Sequence, residues 1–291
     1  MTVTRRSALG LGAAARRPRP VHALRAESGI GRIRLSWKGE AYAPLVDHYA
    51  IYGARSAGFG IGPGTLVGKT VYGYFVHDRM GGARQDWHYR VVTVDAAGNR
   101  SRPSAALSAH SVESVTVAGR ALATVGNFDH RSLELALAPN GYAQYRARFG
   151  DGPDYTYGKS TPGNDWAYIQ PGPADSWAGG RPSRATFRFP LDEVPSGETW
   201  LAVWLVDTHA SLPGTVKLAL NGTPVREVEL EFGGTRGSLE GDATLPGTPL
   251  KPSYVELPLP AAALKAGENV LTIDKQAGSW HVYDALGIFA R

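Results

Sequence analysis

Apolar and polar residues alternate along several short stretches of the chain, which is the pattern of half-buried β-strands. In the first third, Ile33, Leu35 and Trp37 alternate with polar neighbours, and the same period of two returns at residues 47–53 and 87–94. Clusters of Gly and Pro separate these stretches at short intervals. The pattern predicts antiparallel strands joined by turns, with no helical stripe of useful length.

Strand patterns continue through the rest of the chain. Asn221 and Gly222 lie between two of them, and this pair is preferred in tight type I′ hairpin turns. We therefore expect an all-β protein made of two β-sandwich domains, at residues 27–110 and 111–291, the second a jelly roll of the galactose-binding-like kind. The strand patterns of the second domain are at residues 133–137, 186–189, 200–206, 216–220, 254–257, 270–273 and 280–288.

Composition narrows the possible functions. The 291 residues include 36 Gly and 20 Pro, as many turns require, and no Cys, which excludes disulfides, a thiol nucleophile and thiolate metal sites. The net charge of +5 comes from five arginines in the first 23 residues, and the rest of the chain is balanced. The sequence has no basic stripe of the kind found in proteins that bind nucleic acids. It also has no apolar run close to the roughly 20 residues that a membrane span requires.

The first 26 residues have the character of a leader. Arg5 and Arg6 precede a short run of small apolar residues that ends at Ala15, which resembles a bacterial twin-arginine export signal. Residues 21–23 offer a peptidase site, so we expect a protein that is secreted or at the cell surface. Two alternatives stay open: a disordered basic tail, and a joint at residues 15 and 16 where upstream coding sequence was lost.

Three segments of the first domain, at residues 35–37, 48–52 and 89–101, resemble a fibronectin type III module. The last is the most specific, with residues 95–99 as its turn, and the resemblance covers nearly all of residues 30–109. It implies an immunoglobulin-like sandwich of seven strands that serves as a spacer or packing domain, with no catalysis.

Six short segments of the second domain carry a resemblance, at residues 149–150, 165–166, 215–223, 260–269, 279–280 and 283–285. Together they resemble the C-terminal carbohydrate-binding-like domain of family 4 polysaccharide lyases, the rhamnogalacturonan endolyases. In that family a catalytic sandwich comes first, then a fibronectin-type domain, then this domain. Only the leader precedes Glu27 here, so we expect the catalytic domain to be absent, and no catalytic residue is carried over.

Residues 150–184 form the stretch with the most promising chemistry. They are rich in Gly, Pro, Asp and aromatic residues and show no sustained alternation, as in a long functional loop. Sugar recognition needs flat rings for pyranose C–H faces and polar groups for hydroxyls, and an arginine suits a uronate carboxylate. The predicted sugar-binding residues here are Trp166, Tyr168, Trp177, Arg181 and Asp165. Secondary candidates further along the chain are His209, Trp280 and His281.

An enzyme is the alternative to a binding protein, and it requires particular residues. A lyase needs a group that neutralises the uronate and a base that removes the neighbouring proton. No nucleophile elbow, phosphate loop or zinc-protease motif is present, so the sequence predicts no catalytic residue, no metal ligand and no cofactor. A structural calcium ion held by loop aspartates stays an alternative. The residues that would serve a lyase are Arg181, His209, His281 and Tyr283.

The sequence thus favours an exported, non-catalytic protein that binds plant cell-wall polysaccharide of the pectic type. Its expected partner is a polysaccharide or oligosaccharide, and a separate catalytic protein is an open second partner. Neither nucleic acid nor membrane is expected. One alternative is a polysaccharide lyase or glycoside hydrolase that is truncated or has an unrecognised site. The other is an adhesion or packing module that binds proteins.

Overall fold

A computed structural model describes residues 17–39, 46–150, 152–237 and 241–291. The twin-arginine segment, Arg5 to Ala15, lies outside the described residues. The chain forms two compact units: the first takes in residues 17–28, 33–77 and 86–110, and the second takes in residues 29–32, 78–85 and 111–291. No helix in the described part is long and apolar enough to cross a bilayer.

The first unit is a sandwich of a three-stranded and a four-stranded sheet, with orders β1-β2-β5 and β4-β3-β6-β7. This is the arrangement of a fibronectin type III fold, as predicted. The strands are β1 (His22–Gly29), β2 (Arg32–Lys38), β3 (Val46–Ala54), β4 (Leu66–Thr70), β5 (Tyr74–His77), β6 (Asp86–Asp95) and β7 (Leu107–His110).

The core of the first unit follows the alternation seen in the sequence. Ile33, Leu35 and Trp37 on β2 are buried, and the ring of Trp37 meets that of Tyr49 on β3 edge to face at 5.3 Å. The predicted turn after β6 forms because the Asp95 carboxylate accepts hydrogen bonds from the next backbone amides, at 3.0 Å from Ala97 and 2.8 Å from Asn99.

In its described residues, the second unit contains the remaining strands, three short α-helices and single turns of 3-10 helix. The helices are α1 (Val115–Ala118), α2 (Tyr145–Phe149) and α3 (Pro162–Asp165). The strands are β8 (Arg120–Gly126), β9 (Asp154–Thr156), β10 (Ile169–Gln170), β11 (Ser183–Leu191), β12 (Thr199–Thr208), β13 (Thr215–Leu220), β14 (Thr223–Glu229), β15 (Ser253–Leu259), β16 (Gly267–Lys275) and β17 (His281–Ala290).

Two five-stranded sheets form the second sandwich, which confirms the all-β prediction. In one sheet β8 and β10 both pair with β17, which is followed by β12 and β15; the order of the other is β14-β13-β16-β11-β9. The predicted hairpin joins β13 to β14. Asn221 and Gly222 both have positive φ, at 52° and 81°, as a type I′ turn requires.

The two long edges of this sandwich differ. At one edge the chain leaves β9 in one sheet, passes through α3 and enters β10 in the other sheet. We call this the closed edge, residues 154–170. At the opposite edge lie β14 and β15, the outermost strands of their sheets. We call this the open edge, because the space between the two strands forms a cleft.

Candidate functional site

The cleft at the open edge is the candidate site. Its volume is about 220 Å³, below the roughly 300 to 1,000 Å³ of pockets that enclose a drug-sized ligand. A cleft of this size suits a short segment of a longer molecule. We call it the edge cleft, and it is lined by Arg226, Val228, Glu229, Leu230, Glu231, Ser253, Tyr254, Val255, Glu256 and Leu257.

The lining combines an apolar floor with a polar rim. Leu230 and Leu257 are buried, and Val255 packs against the hydrophobic core, so each contributes an apolar surface on a rigid strand or its continuation. Arg226 and Glu229 are exposed on β14. This mixture is typical of small-molecule sites, where apolar area gives affinity and a few polar groups fix orientation.

Glu256 is fixed by three donors on one wall of the cleft. Its Oε1 accepts a hydrogen bond from Nε1 of Trp204 at 3.0 Å and another from the Ser114 hydroxyl, while Oε2 accepts from the Val115 amide at 2.9 Å. Val115 begins α1, so the carboxylate also caps that turn of helix. The Glu256 side chain therefore serves as a positioned wall, with most of its acceptor capacity used.

Tyr254 is fixed in a similar way. Its hydroxyl lies 2.9 Å from Nε2 of His130, and its ring meets that of Trp204 at 4.8 Å. Burial lowers the pKa of His130 and raises that of Tyr254, so both side chains are held in their neutral forms near pH 7. Tyr254 therefore lines the cleft as a residue whose side chain is fixed by Trp204 and His130.

Asp284 holds the segment that carries His130. Its carboxylate accepts hydrogen bonds from three successive backbone amides, at 3.3 Å from Asp129, 3.0 Å from His130 and 3.1 Å from Arg131. His130 has φ of 66°, a left-handed conformation that costs a non-glycine residue about 1 to 2 kcal/mol. These hydrogen bonds offset that cost, while burial raises the pKa of Asp284 to about 8.

Charge in the cleft is only partly neutralised. Glu231 forms a two-pronged ion pair with Arg32, both N to O distances being 2.6 Å. Among the described residues, none forms an ion pair with Arg226. The guanidinium of Arg226 is therefore available to an anionic ligand, and Glu229 to the hydroxyls of one.

Four of the eight residues predicted to contact sugar are buried in this structure. The exposed fractions are 0% for Trp166, 0% for Tyr168, 3% for Trp280 and 1% for His281. A ring that is enclosed on all sides offers no face to a pyranose. None of the eight residues lines the edge cleft.

Packing across the closed edge explains the burial of Trp166. Its ring lies 6.2 Å from that of Phe187 in one sheet and 5.3 Å from that of Tyr283 in the other. The indole therefore fills the gap between the sheets where the chain crosses. Tyr168 follows it on the way into β10, whose Gln170 pairs with His281 on β17. These aromatic residues close the core.

The other predicted residues are more accessible and stay candidates. Trp177 is half-buried, and its Nε1 donates to Asp175 Oδ1 at 3.1 Å, while Arg181 is exposed. The Asp165 carboxylate accepts the Thr161 amide at 2.7 Å, at the start of α3. Half-buried His209 accepts the Leu212 amide at 3.0 Å through Nδ1.

The residues proposed for a lyase do not form an accessible site. His281 and Tyr283 are buried side by side, with ring centroids 4.8 Å apart. Burial lowers the pKa of His281 and raises that of Tyr283, so the imidazole is a weakened base and the phenol stays protonated near pH 7. The described residues contain no cluster of three or more His, Asp or Glu arranged to hold a metal ion.

The edge cleft was missed by reasoning from sequence, although one signal pointed to it. Pro224 lies in β14 and Pro258 lies in β15. Proline lacks a backbone donor and is tolerated in strands chiefly at sheet edges, so these two residues mark both strands as edges. Which two edges face one another is decided by the packing of the sheets and is not encoded in either strand alone.

Comparison with known families identifies the second unit. Residues 121–288 match the family described as CBM-like: Polysaccharide lyase family 4, domain III. The match covers more than half of the chain, and the chain belongs to this family. Its second unit is thus a carbohydrate-binding-like domain of the kind that accompanies polysaccharide lyases. No curated protein matches the chain.

Solved structures similar to the chain include a human fibronectin type III domain, 13% identical, covering 36% of this chain and 96% of that one, with a TM-score of 0.30. A family 28 exopolygalacturonase from Yersinia enterocolitica is 15% identical over 32% of this chain and 20% of that one, with a TM-score of 0.27. An α-L-rhamnosidase from Streptomyces avermitilis, complexed with L-rhamnose, is 18% identical over 90% of this chain and 22% of that one, with a TM-score of 0.24. The chain spans about a fifth of the length of each enzyme.

Proposed function

We propose that this protein is an exported, non-catalytic accessory protein that binds pectic polysaccharide of plant cell walls in the edge cleft of its second unit. Membership of a carbohydrate-binding-like family supports the ligand class. The observation that carries the choice of site is the cleft itself, which joins an apolar floor to a polar rim on two opposed edge strands.

The floor and rim match the two chemical sides of a sugar. Leu257 and Val255 offer apolar surface for C–H groups. Glu229 supplies acceptors for hydroxyl groups. Because Glu256 and Tyr254 are held by partners behind the cleft, binding does not have to order them, which favours affinity.

Arg226 supports an acidic sugar as the ligand. Its guanidinium can pair with both oxygens of a uronate carboxylate, an interaction stronger than a bond between neutral groups. Pectic chains contain such uronates, whereas neutral polysaccharides do not. The carboxylates on the rim of the cleft work against an acidic ligand, but two of them already have partners. Glu231 is paired with Arg32, and Glu256 accepts hydrogen bonds from three donors.

Calorimetry with oligosaccharides prepared from rhamnogalacturonan tests the proposal. Arg226→Ala should weaken binding by about tenfold, the effect of losing one charged hydrogen-bonding group of roughly 1.5 kcal/mol. The matched control is Arg120→Ala. Arg120 is also exposed, but it lies on β8, at the side of its sheet opposite β15, and its loss should leave affinity unchanged.

A conservative replacement sharpens the result. Arg226→Lys keeps the positive charge but loses the paired N–H donors of the guanidinium. Its affinity for the oligosaccharide should therefore lie between those of the wild type and Arg226→Ala. Equal affinity of Arg226→Ala and the wild type would reject the edge cleft. Failure of the wild type to bind any acidic or neutral glycan would reject the function itself and favour a module that binds proteins. Release of unsaturated uronides by the protein would establish a lyase instead.

A further inference from the structure

The outer face of the three-stranded sheet in the first unit presents two exposed aromatic rings side by side. Tyr72 is 60% exposed and Tyr74 is 42% exposed. Their rings are stacked, with centroids 5.5 Å apart and planes inclined by 20°. Val71, next to Tyr72, is 68% exposed. Single apolar residues at a surface are common, but two stacked rings beside an exposed Val form a local patch.

The backbone beneath these rings is fixed. Tyr74 begins β5 and lies opposite Ser36 of β2. Before it, the Trp37 amide donates to the Gly73 carbonyl at 3.0 Å, and the Tyr72 amide donates to the Thr70 hydroxyl oxygen at 3.1 Å. The turn from β4 to β5 is therefore tied to the sheet, and both rings are held in place before any ligand arrives.

Two basic side chains lie on the same face of the sheet as the two rings. Residues two apart on a strand point to the same side, so Arg34, Ser36 and Lys38 of β2 all lie on the outer face, opposite the buried Ile33, Leu35 and Trp37. The guanidinium of Arg34 lies 5.1 Å from the centroid of the Tyr74 ring. Because Ser36 is the residue opposite Tyr74, the two basic residues flank that tyrosine along β2.

We propose that Tyr72, Tyr74, Arg34 and Lys38 form a second polysaccharide-binding surface, which we call the tyrosine platform, on the unit that the sequence assigned to a spacer role. Flat exposed rings suit the C–H faces of pyranoses, and the two cations suit uronate carboxylates. The charge selects an acidic polysaccharide over a neutral one. The inference shares its ligand class with the proposed function but rests on different residues in a different unit.

Affinity electrophoresis of the full chain in gels containing polygalacturonate tests the platform. The double variant Tyr72→Ala/Tyr74→Ala should bind the polymer about tenfold more weakly than the wild type, from roughly 1.4 kcal/mol lost with the two rings. The matched control is Tyr157→Ala, which removes an exposed tyrosine of the second unit that is 38% exposed, and its retention should equal that of the wild type. Thermal melting confirms that each variant is folded.

A second variant separates charge from stacking. Arg34→Ala/Lys38→Ala keeps both rings and should lower retention by polygalacturonate about threefold to tenfold while leaving retention by a neutral galactan unchanged. Wild-type retention of the folded tyrosine double variant would overturn the platform. Loss of retention in Arg226→Ala alone would leave the edge cleft as the site, whereas loss in the tyrosine variant alone would leave the platform and reject the cleft.

Discussion

The two edges of the second sandwich join the same pair of sheets but do so with different residues. At the closed edge, an aromatic segment crosses from β9 to β10 and buries Trp166 and Tyr168 completely. At the open edge, the chain passes from β14 in one sheet to β15 in the other through residues 230–252, and the rim of the cleft consists largely of charged and hydroxyl side chains. The stretch richest in aromatic residues therefore closes the core, while the opposite edge presents the polar groups that a ligand can reach.

The difference follows from the cost of leaving large rings in water. Burial of apolar area contributes about 25 cal/mol per Å², so a segment with several rings is most stable when it lies across the gap between the sheets. An edge that is left uncovered must instead carry polar residues that tolerate solvent. Arg226 and Glu229 on β14 meet this requirement, and they are also the groups that a saccharide can reach.

The largest expected effect comes from the closed edge. Trp166→Ala should lower the free energy of unfolding by about 3 to 5 kcal/mol, the usual cost of removing a large buried ring. Nε1 of Trp166 has no hydrogen-bond partner among the described residues, so packing alone accounts for the loss. Urea unfolding measures it. Tyr157→Ala, the exposed counterpart, should change stability by less than about 0.5 kcal/mol. A Trp166→Ala protein that is as stable as the wild type but no longer binds glycans would show that the closed edge, and not the open edge, contacts the ligand.

A buried lysine makes the stability of the second sandwich depend on pH. Lys275 is fully enclosed, its Nζ donates to the Pro213 carbonyl, and burial lowers its pKa to about 7. In the unfolded chain the pKa is about 10.4, so between these values the unfolded state binds more protons and rising pH stabilises the fold. The wild type should gain up to about 1.4 kcal/mol per pH unit relative to Lys275→Met over this range.

Urea unfolding at pH 7, 8, 9 and 10 checks this for the two proteins side by side. The control is Lys217→Met, which removes an exposed lysine from β13 and should follow the wild type at every pH. Parallel curves for the wild type and Lys275→Met would show that Lys275 is charged inside the protein or exposed, in conflict with the packing described.

A smaller effect is expected at the wall of the open edge. Glu256→Gln replaces one acceptor oxygen with a donor, which then faces the Val115 amide or the donors of Trp204 and Ser114. Stability should fall by about 1 to 2 kcal/mol, and glycan affinity should fall with it because the wall is no longer fixed. Glu229→Gln, on the solvent side of the cleft, should leave stability within about 0.5 kcal/mol. Equal stabilities of the two variants would show that the hydrogen bonds to Glu256 do not fix the wall.

Sequence alone predicted the strands and the turns well, for local reasons. The alternation at Ile33, Leu35 and Trp37 determines which side of β2 is buried, and Asn221 with Gly222 determines the hairpin between β13 and β14. These features depend on near neighbours in the chain. The burial of Trp204, inside a strand pattern, could be predicted for the same reason.

The site could not be predicted in this way. In residues 150–184 no regular period shows which side chains point outward, so Trp166 and the half-buried Trp177 look equivalent in the sequence. The edge cleft depends on β14 and β15 lying opposite each other, although more than 20 residues separate them. The prolines of these strands indicated edges, but only the packing of two sheets brings the edges together.

The most direct test is to map the contact of a galacturonate-containing oligosaccharide on the full chain by amide chemical shifts. Binding in the edge cleft predicts that the largest changes occur at residues 226–231 and 253–257. Changes concentrated at residues 165–181 and 279–281, with the edge cleft unaffected, would contradict this account.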